Sequence, residues 1–278
     1  MTTTEPPPQP HAERVRISKR SLRSLRTDHW WIGPTLTVLG ITAFLVYGTV
    51  RLLQQDHYWV GELHYLTPFY SPCLAAQCAP ESAVFGRVPW EFPWFLPFAI
   101  ISMPFLLLFR FTCYYYRKAY YRSFWQAPTA CAVPEPHSTY TGEGRFPLIL
   151  QNSHRYFFYV ALAITLLNTY DASLALGYGL ADGHGVGLGN LILFTNVVLL
   201  WCYTLSCHSC RHVFGGRLRS FGNRPVRYWL WTQISRLNPR HMEFAWITLG
   251  TLMLTDAYVM LVASETIADP RLFATADG

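Results

Sequence analysis

An all-α integral membrane protein, with five transmembrane helices in one bundle, is the fold class this sequence predicts, and three observations predict it. Hydrophobic residues fill 51% of the 278 positions and charged residues only 14%, against about 25% charged in soluble domains. The apolar residues gather into runs of roughly 20, the length of one span. The cations gather between those runs: of the 22 Lys and Arg, only Arg51, Arg87 and Arg271 fall outside the connections that five spans place on one side. The positive-inside rule makes that side the cytoplasm, with the N-terminus cytoplasmic and the C-terminus outside. The net charge of +6 follows from this topology and calls for no nucleic-acid partner. The division expected is a disordered, basic tail over 1–28, a five-helix domain over 29–264 and a short outer tail over 265–278.

The tail opens on Thr and Pro residues that cannot bury a core and continues through Arg14, Arg16, Lys19, Arg20, Arg23 and Arg26. No apolar region and small-residue cleavage site follow it directly, so it does not read as a cleavable signal. The first span runs from Trp31 to Leu53, entered through the interfacial pair Trp30 and Trp31. The loop over 54–91 carries Cys73 and Cys78, and outside the cytoplasm a local disulfide between them is the expectation. The second span is expected over Phe92 to Phe109, kinked by Pro93, Pro97 and Pro104 because neighbouring helices satisfy the freed carbonyls. It ends in a belt of cations and aromatics from Arg110 to Lys118. After a Pro- and Tyr-rich loop, the third span runs from about Asn152 to Leu176, a glycine-rich turn from Gly177 to Gly189 lacks any cation, and the fourth span covers Leu188 to Ser206. The region 211–240 holds seven arginines, and the fifth span covers Phe244 to Val262.

Chemistry concentrates at Cys207-His208-Ser209-Cys210-Arg211-His212, directly after the fourth span. Thiolate and imidazole suit zinc, copper and iron–sulfur centres. The stretch holds half of a Rieske ligand pattern, Cys-x-His at Cys210 and His212, without the Cys-x-x-His half. Five spans bring Cys113, His154 and His241 to the same cytoplasmic depth, so the candidate metal ligands are Cys113, His154, Cys207, Cys210, His212 and His241. On a continuous helix Cys207 and Cys210 would face one way and His208 and His212 another, which sends the search for partners to the other three. Cys202 reads as apolar filler. Asn168, Asp171, Asn196 and Asp256 fall in the outer half of the bundle, where unpaired ionisable groups are expensive. The bland expectation is that they hydrogen-bond each other; the functional one is a proton path through Asp171 and Asp256.

Four stretches carry a resemblance to a known family. Arg110 to Arg122, Gln151 to Tyr156, Cys207 to His212 and Asn238 to Met242 resemble the five-helix membrane-anchor subunit of actinobacterial-type succinate dehydrogenase, over roughly residues 25 to 262. The resemblance implies a multi-pass subunit of the plasma membrane. It also implies a flavoprotein partner with FAD and an iron–sulfur partner, electrons passing from succinate to a quinone such as menaquinone, and room for an oligomer of the complex. Family anchors often bind two b haems through histidines deep in the bundle. No histidine lies within the five apolar runs here, so the resemblance points to a Rieske-type [2Fe-2S] centre, with haem b on His154, His212 or His241 as the alternative. Tyr114, Tyr116, Arg117, Trp125, Arg155 and Tyr156 supply donors and aromatic walls for a quinone head at that face. The chain lacks a nucleotide-binding glycine motif and would carry no succinate chemistry itself.

Two other classes compete. A zinc hydrolase would need a carboxylate beside the ligands, and no acidic residue lies near Cys207 in sequence. A zinc-stapled scaffold would need no redox role.

Overall fold

A computed structural model describes residues 26–137, 145–216 and 218–273. The basic tail up to residue 25 and the end of the outer tail, 274–278, lie outside them. The fold is helical with little sheet, and four helices are long and apolar enough to cross a membrane. They are α1 (Ile32–Gln54), α5 (His154–Ala181), α6 (Leu188–Leu205) and the joined run of α8 (Pro225–Leu237), a single 3-10 turn (Asn238–Arg240) and α9 (His241–Ala263). Helix α6 is the hub, packing against α9 and α5. Helix α1 stands at the edge and turns Leu36, Leu39, Val46, Val50 and Leu53 outward as an exposed apolar face.

The expected second span is not one helix. Residues 92–97 are irregular, Phe98–Ile101 form a 3-10 turn, and only α2 (Met103–Phe111) is α-helical. Its 9 residues rise about 13 Å, half the thickness of a bilayer core. The prolines break the helix instead of kinking it. Pro93 opens a turn in which Leu96 N donates to its carbonyl at 2.8 Å and Pro97 is extended, whereas Pro104 sits in the first turn of α2, where a missing N–H costs nothing. Side chains satisfy the freed backbone: Phe98 N donates to Gln55 Oε1 at 3.0 Å, and Gln77 Nε2 donates to the Phe92 carbonyl at 2.8 Å.

Residues 55–97 cap that end of the bundle. A two-stranded hairpin, β1 (Trp59–Val60) with β2 (Tyr65–Leu66), leads to a plug of buried Phe69 and Tyr70, and Cys73 is bonded to Cys78. The plug is tied down by Ser102 Oγ donating to the Phe69 carbonyl at 3.0 Å and by Ser71 donating to Asp171. A second small pair, β3 (Val186–Gly187) with β4 (Arg271–Phe273), closes the same end around Asp269. That carboxylate accepts from Tyr65 at 2.9 Å, Tyr258 at 2.5 Å and the Gly189 amide at 2.8 Å.

The intramembrane polar residues do not bond one another as expected. Asp256 accepts from Arg51 Nε at 2.7 Å and from Tyr47 OH at 2.6 Å, with both members of the ion pair buried. Asp171 holds Ser71, Asn168 donates back to the Ile164 carbonyl, and the Asn196 side-chain oxygen meets no hydrogen-bond partner among the described residues. Asp256 thus neutralises Arg51, and Asp171 anchors the loop through Ser71.

The opposite end carries short helices: α3 (Tyr114–Ala119), continued by a π-helical turn (Tyr120–Phe124), α4 (Arg145–Asn152) and α7 (His208–Gly215). These surround the cysteines and histidines.

Candidate functional site

Two chain breaks build the site. Helix α6 ends at Ser206, and Cys207 takes an extended conformation (φ −64, ψ 142) before α7 begins. Helix α2 ends at Thr112, and Cys113 takes nearly the same conformation (φ −67, ψ 137) before α3 begins. Each cysteine is therefore the N-cap of a short helix, where backbone N–H groups face the sulfur; Cys207 Sγ accepts from Ser209 N at 3.3 Å. Helix N-termini favour the thiolate form. The two histidines are also matched, since His154 is the first residue of α5 and His241 the first of α9.

The four side chains are cross-braced. His154 Nε2 meets Cys207 Sγ at 3.2 Å while its Nδ1 meets Thr112 Oγ1 at 2.9 Å. His241 Nε2 meets Cys113 Sγ at 3.6 Å while its Nδ1 meets Ser206 Oγ at 2.8 Å. Thr112 gives its one hydroxyl proton to the Leu108 carbonyl at 2.7 Å, and Ser206 gives its own to the Tyr203 carbonyl at 3.0 Å. Both hydroxyl oxygens are thus acceptors, each Nδ1 carries the proton, and each Nε2 turns a lone pair toward a sulfur. Phe109 stacks on His154 with centroids 4.8 Å apart and Tyr203 stacks on His241 at 5.0 Å.

A short local repeat underlies this match. Phe109-Arg110-Phe111-Thr112-Cys113 and Tyr203-Thr204-Leu205-Ser206-Cys207 share the pattern aromatic, two residues, hydroxyl, Cys. In each copy the aromatic ring stacks on one histidine, and the hydroxyl braces a histidine whose Nε2 faces the other copy's cysteine. The copies differ at Arg110, which sequence reasoning left in the interfacial belt. Its guanidinium is buried and held by neutral groups: it donates to Tyr116 OH at 2.8 Å, the Ala245 carbonyl at 3.1 Å and Thr248 Oγ1 at 3.2 Å, and lies 5.0 Å from the Tyr203 ring centroid. No carboxylate among the described residues pairs with it. A buried cation without an anion is costly, and here its charge favours the anionic form of the nearby Cys113 thiol.

Cys113, His154, Cys207, His212 and His241 line one cavity of about 570 Å³, with His208 beside them. Cys210 does not line it. Because α7 starts after Cys207, the expected shared face of Cys207 and Cys210 is absent, and Cys210 is buried in the same apolar cluster as Cys113 and Cys207 without lining the cavity. His212 reaches the cavity from its exposed side. Among the described residues no three His, Cys, Asp or Glu side chains converge as a mononuclear metal would require.

Of the residues expected to receive a quinone head, Tyr114 and Arg155 line the cavity, together with Gln151, Asn152 and Tyr159. Tyr116 is buried away from it, donating to the Ala245 carbonyl. Arg117 lies over Tyr114 with 5.0 Å to the ring centroid, Tyr156 is exposed, and Trp125 stacks with His137 elsewhere.

Burial pushes the Cys207 thiol up to about 12, with the neighbouring Cys113 adding to the rise and the backbone N–H groups of Ser209 and Cys210 opposing it. Burial likewise raises Cys113, and raises Cys210 to about 11. At pH 8 such thiols are held in the protonated form, which is not the nucleophile. Metal-free protein treated with iodoacetamide at pH 8 is therefore expected to alkylate exposed Cys131 within minutes and to spare Cys113, Cys207 and Cys210. Peptide mass spectrometry checks this, and equal labelling at Cys207 and Cys131 would refute it. A metal that deprotonates the pair must displace two protons on loading.

A family model described as actinobacterial succinate dehydrogenase subunit SdhC matches residues 32–265. Among solved structures the chain is similar to one from the Mycobacterium smegmatis Sdh1 complex in the apo form. That match has 63% identity and a TM-score of 0.84, and it covers 95% of this chain and 98% of that one. No curated protein sequence matches.

Proposed function

The chain belongs to the actinobacterial succinate dehydrogenase subunit SdhC family, and from that premise we propose that it is the redox-active membrane anchor of a succinate dehydrogenase complex. In this reading it accepts electrons from an iron–sulfur partner subunit at the Cys/His end, which faces the cytoplasm. It passes them through a [2Fe-2S] centre held by Cys113, His154, Cys207 and His241 to menaquinone. FAD and the other clusters belong to the partner subunits.

The braced set of two cysteines and two histidines carries this reading. A [2Fe-2S] centre with mixed ligation takes those residue types in that ratio. Both Nε2 lone pairs point inward, because Thr112 and Ser206 take the Nδ1 protons, the support ligating imidazoles receive in metal sites. When bound, such a centre takes up and releases one electron at a time. The chain's own residues supply the setting. Phe109 and Tyr203 hold the imidazole planes, burial keeps water from the sulfurs, and Arg110 offsets negative charge at the thiolates. Tyr114, Arg155 and Asn152 line the wide part of the cavity and offer hydrogen-bond donors to a quinone oxygen.

Metal analysis of the purified complex tests this directly. The expected result is iron and acid-labile sulfide in excess of what the partner subunits hold, with a reduced EPR signal at low average g that disappears in His154→Ala. Zinc in place of iron at this site, or no such signal in the reduced wild type, would sink the assignment.

A further inference from the structure

Resting on that reading, we infer that Arg110 sets how readily the centre accepts its electron: its guanidinium is a one-sided positive charge that raises the reduction potential, rather than a strut of the bundle. In each cycle the site gains one electron from the iron–sulfur partner and gives one to quinone. Reduction therefore adds one negative charge among the ligands, and a fixed cation beside them favours that state.

The placement supports this role. The Arg110 guanidinium carbon lies 5.0 Å from the centroid of the Tyr203 ring, and that ring stacks on His241 with centroids 5.0 Å apart. A unit charge about 10 Å from a redox group, in an effective dielectric of about 20, biases a one-electron equilibrium roughly tenfold. Arg110 is also three positions from Cys113, whose amide donates to the Arg110 carbonyl at 3.0 Å. It is buried, so dissolved salt screens it little.

Its hydrogen bonds are redundant. The Ala245 carbonyl also accepts from Tyr116 OH, and the Thr248 hydroxyl donates to the Phe244 carbonyl at 2.7 Å. Removing the guanidinium leaves each of these groups with a hydrogen bond. The rings of Phe44, Tyr116 and Tyr203 attract the cation but carry no charge to cancel it. A well-packed apolar side chain of similar volume would avoid the desolvation cost, so packing gives no reason for a charge at this position.

The local repeat isolates the feature. Position for position Arg110 corresponds to Thr204, whose hydroxyl meets Thr165 Oγ1 at 3.3 Å. The aromatic, hydroxyl and cysteine positions of the two copies match in type, and the charge does not. The copy that carries Cys113 brings a cation, and the copy that carries Cys207 brings a neutral hydroxyl.

The test is a reductive titration of the intact complex with redox mediators, read by EPR at the g-values of this centre, beside thermal unfolding of the same samples. Arg110→Met removes the charge and keeps the volume. It should lower the midpoint by about 59 mV, the one-electron equivalent of tenfold, with the unfolding temperature unchanged or higher, while Arg110→Lys stays near the parent value. The sign is diagnostic, because water admitted to a loosened site would stabilise the more negative reduced state and raise the midpoint. If the methionine variant loses the centre, Arg110→Gln, a neutral side chain that still carries a donor, decides. An unchanged or raised midpoint, an equal fall in Arg110→Lys, or loss of the centre from both neutral variants would overturn the role of Arg110 and leave the [2Fe-2S] assignment intact. No signal from such a centre in the wild type would overturn both.

Discussion

Replacing Cys207 with alanine is expected to remove quinone reduction by succinate while leaving succinate oxidation by a soluble dye within about twofold of the parent complex. The dye takes electrons upstream of the anchor, so only the membrane step is lost. Cys207 supplies one of two sulfurs in the site and also the N-cap of α7, and among the described residues no thiol besides Cys113 and Cys207 lines the cavity. Losing a residue that merely orients a ligand typically costs 10- to 100-fold in affinity or activity, so losing the ligand should exceed a hundredfold. Cys210→Ala is the matched control. It removes one buried sulfur at about 1 kcal/mol and should keep the EPR signal. If Cys210→Ala abolished the signal and Cys207→Ala kept it, the ligand assignment would be reversed.

The second large effect lies at the far end of the bundle. Asp256→Ala should destabilise the complex by about 3–5 kcal/mol, because it leaves the Arg51 guanidinium buried without a counter-charge. Arg51 and Asp256 are almost wholly inaccessible, at 1% and 0% exposure, so water cannot relieve the strain on either single variant. Arg51→Met should cost a similar amount. The double variant Arg51→Met/Asp256→Leu should cost less than either single change, because no isolated charge remains and the volume is filled. Thermal unfolding of the purified complex, followed in all three variants, measures this. Strict additivity of the two single changes would show that the pair is not coupled, and a loss of activity in energised membranes without loss of stability would return Asp256 to the proton path.

The membrane class and the four long apolar helices were legible in the chain because hydropathy is a local quantity, carried by each run on its own. The failure at the second span has a local cause too: prolines at 93 and 97 left backbone N–H and C=O groups that Gln55 and Gln77 satisfy, partners distant in sequence. The site shows the same division. Residue type nominated Cys113, His154, Cys207 and His241, and the hydroxyl-Cys pairs Thr112-Cys113 and Ser206-Cys207 stood in plain view as a repeat. A search for repeats of domain length passes over a five-residue pattern. Arg110 went unnoticed for a related reason, since a cation at a helix end normally anchors the interface and only burial distinguishes this one.

The sequence by itself determined that the chain lives in a membrane, where its apolar runs begin and end, and that soft ligands gather at one end of them. Tertiary structure alone decided which ligands meet. Composition and periodicity act along the chain, whereas the contacts of His154 with Cys207 and of His241 with Cys113 join residues 53 and 128 positions apart. Only the packing of α2, α5, α6 and α9 around one axis brings those pairs within bonding distance.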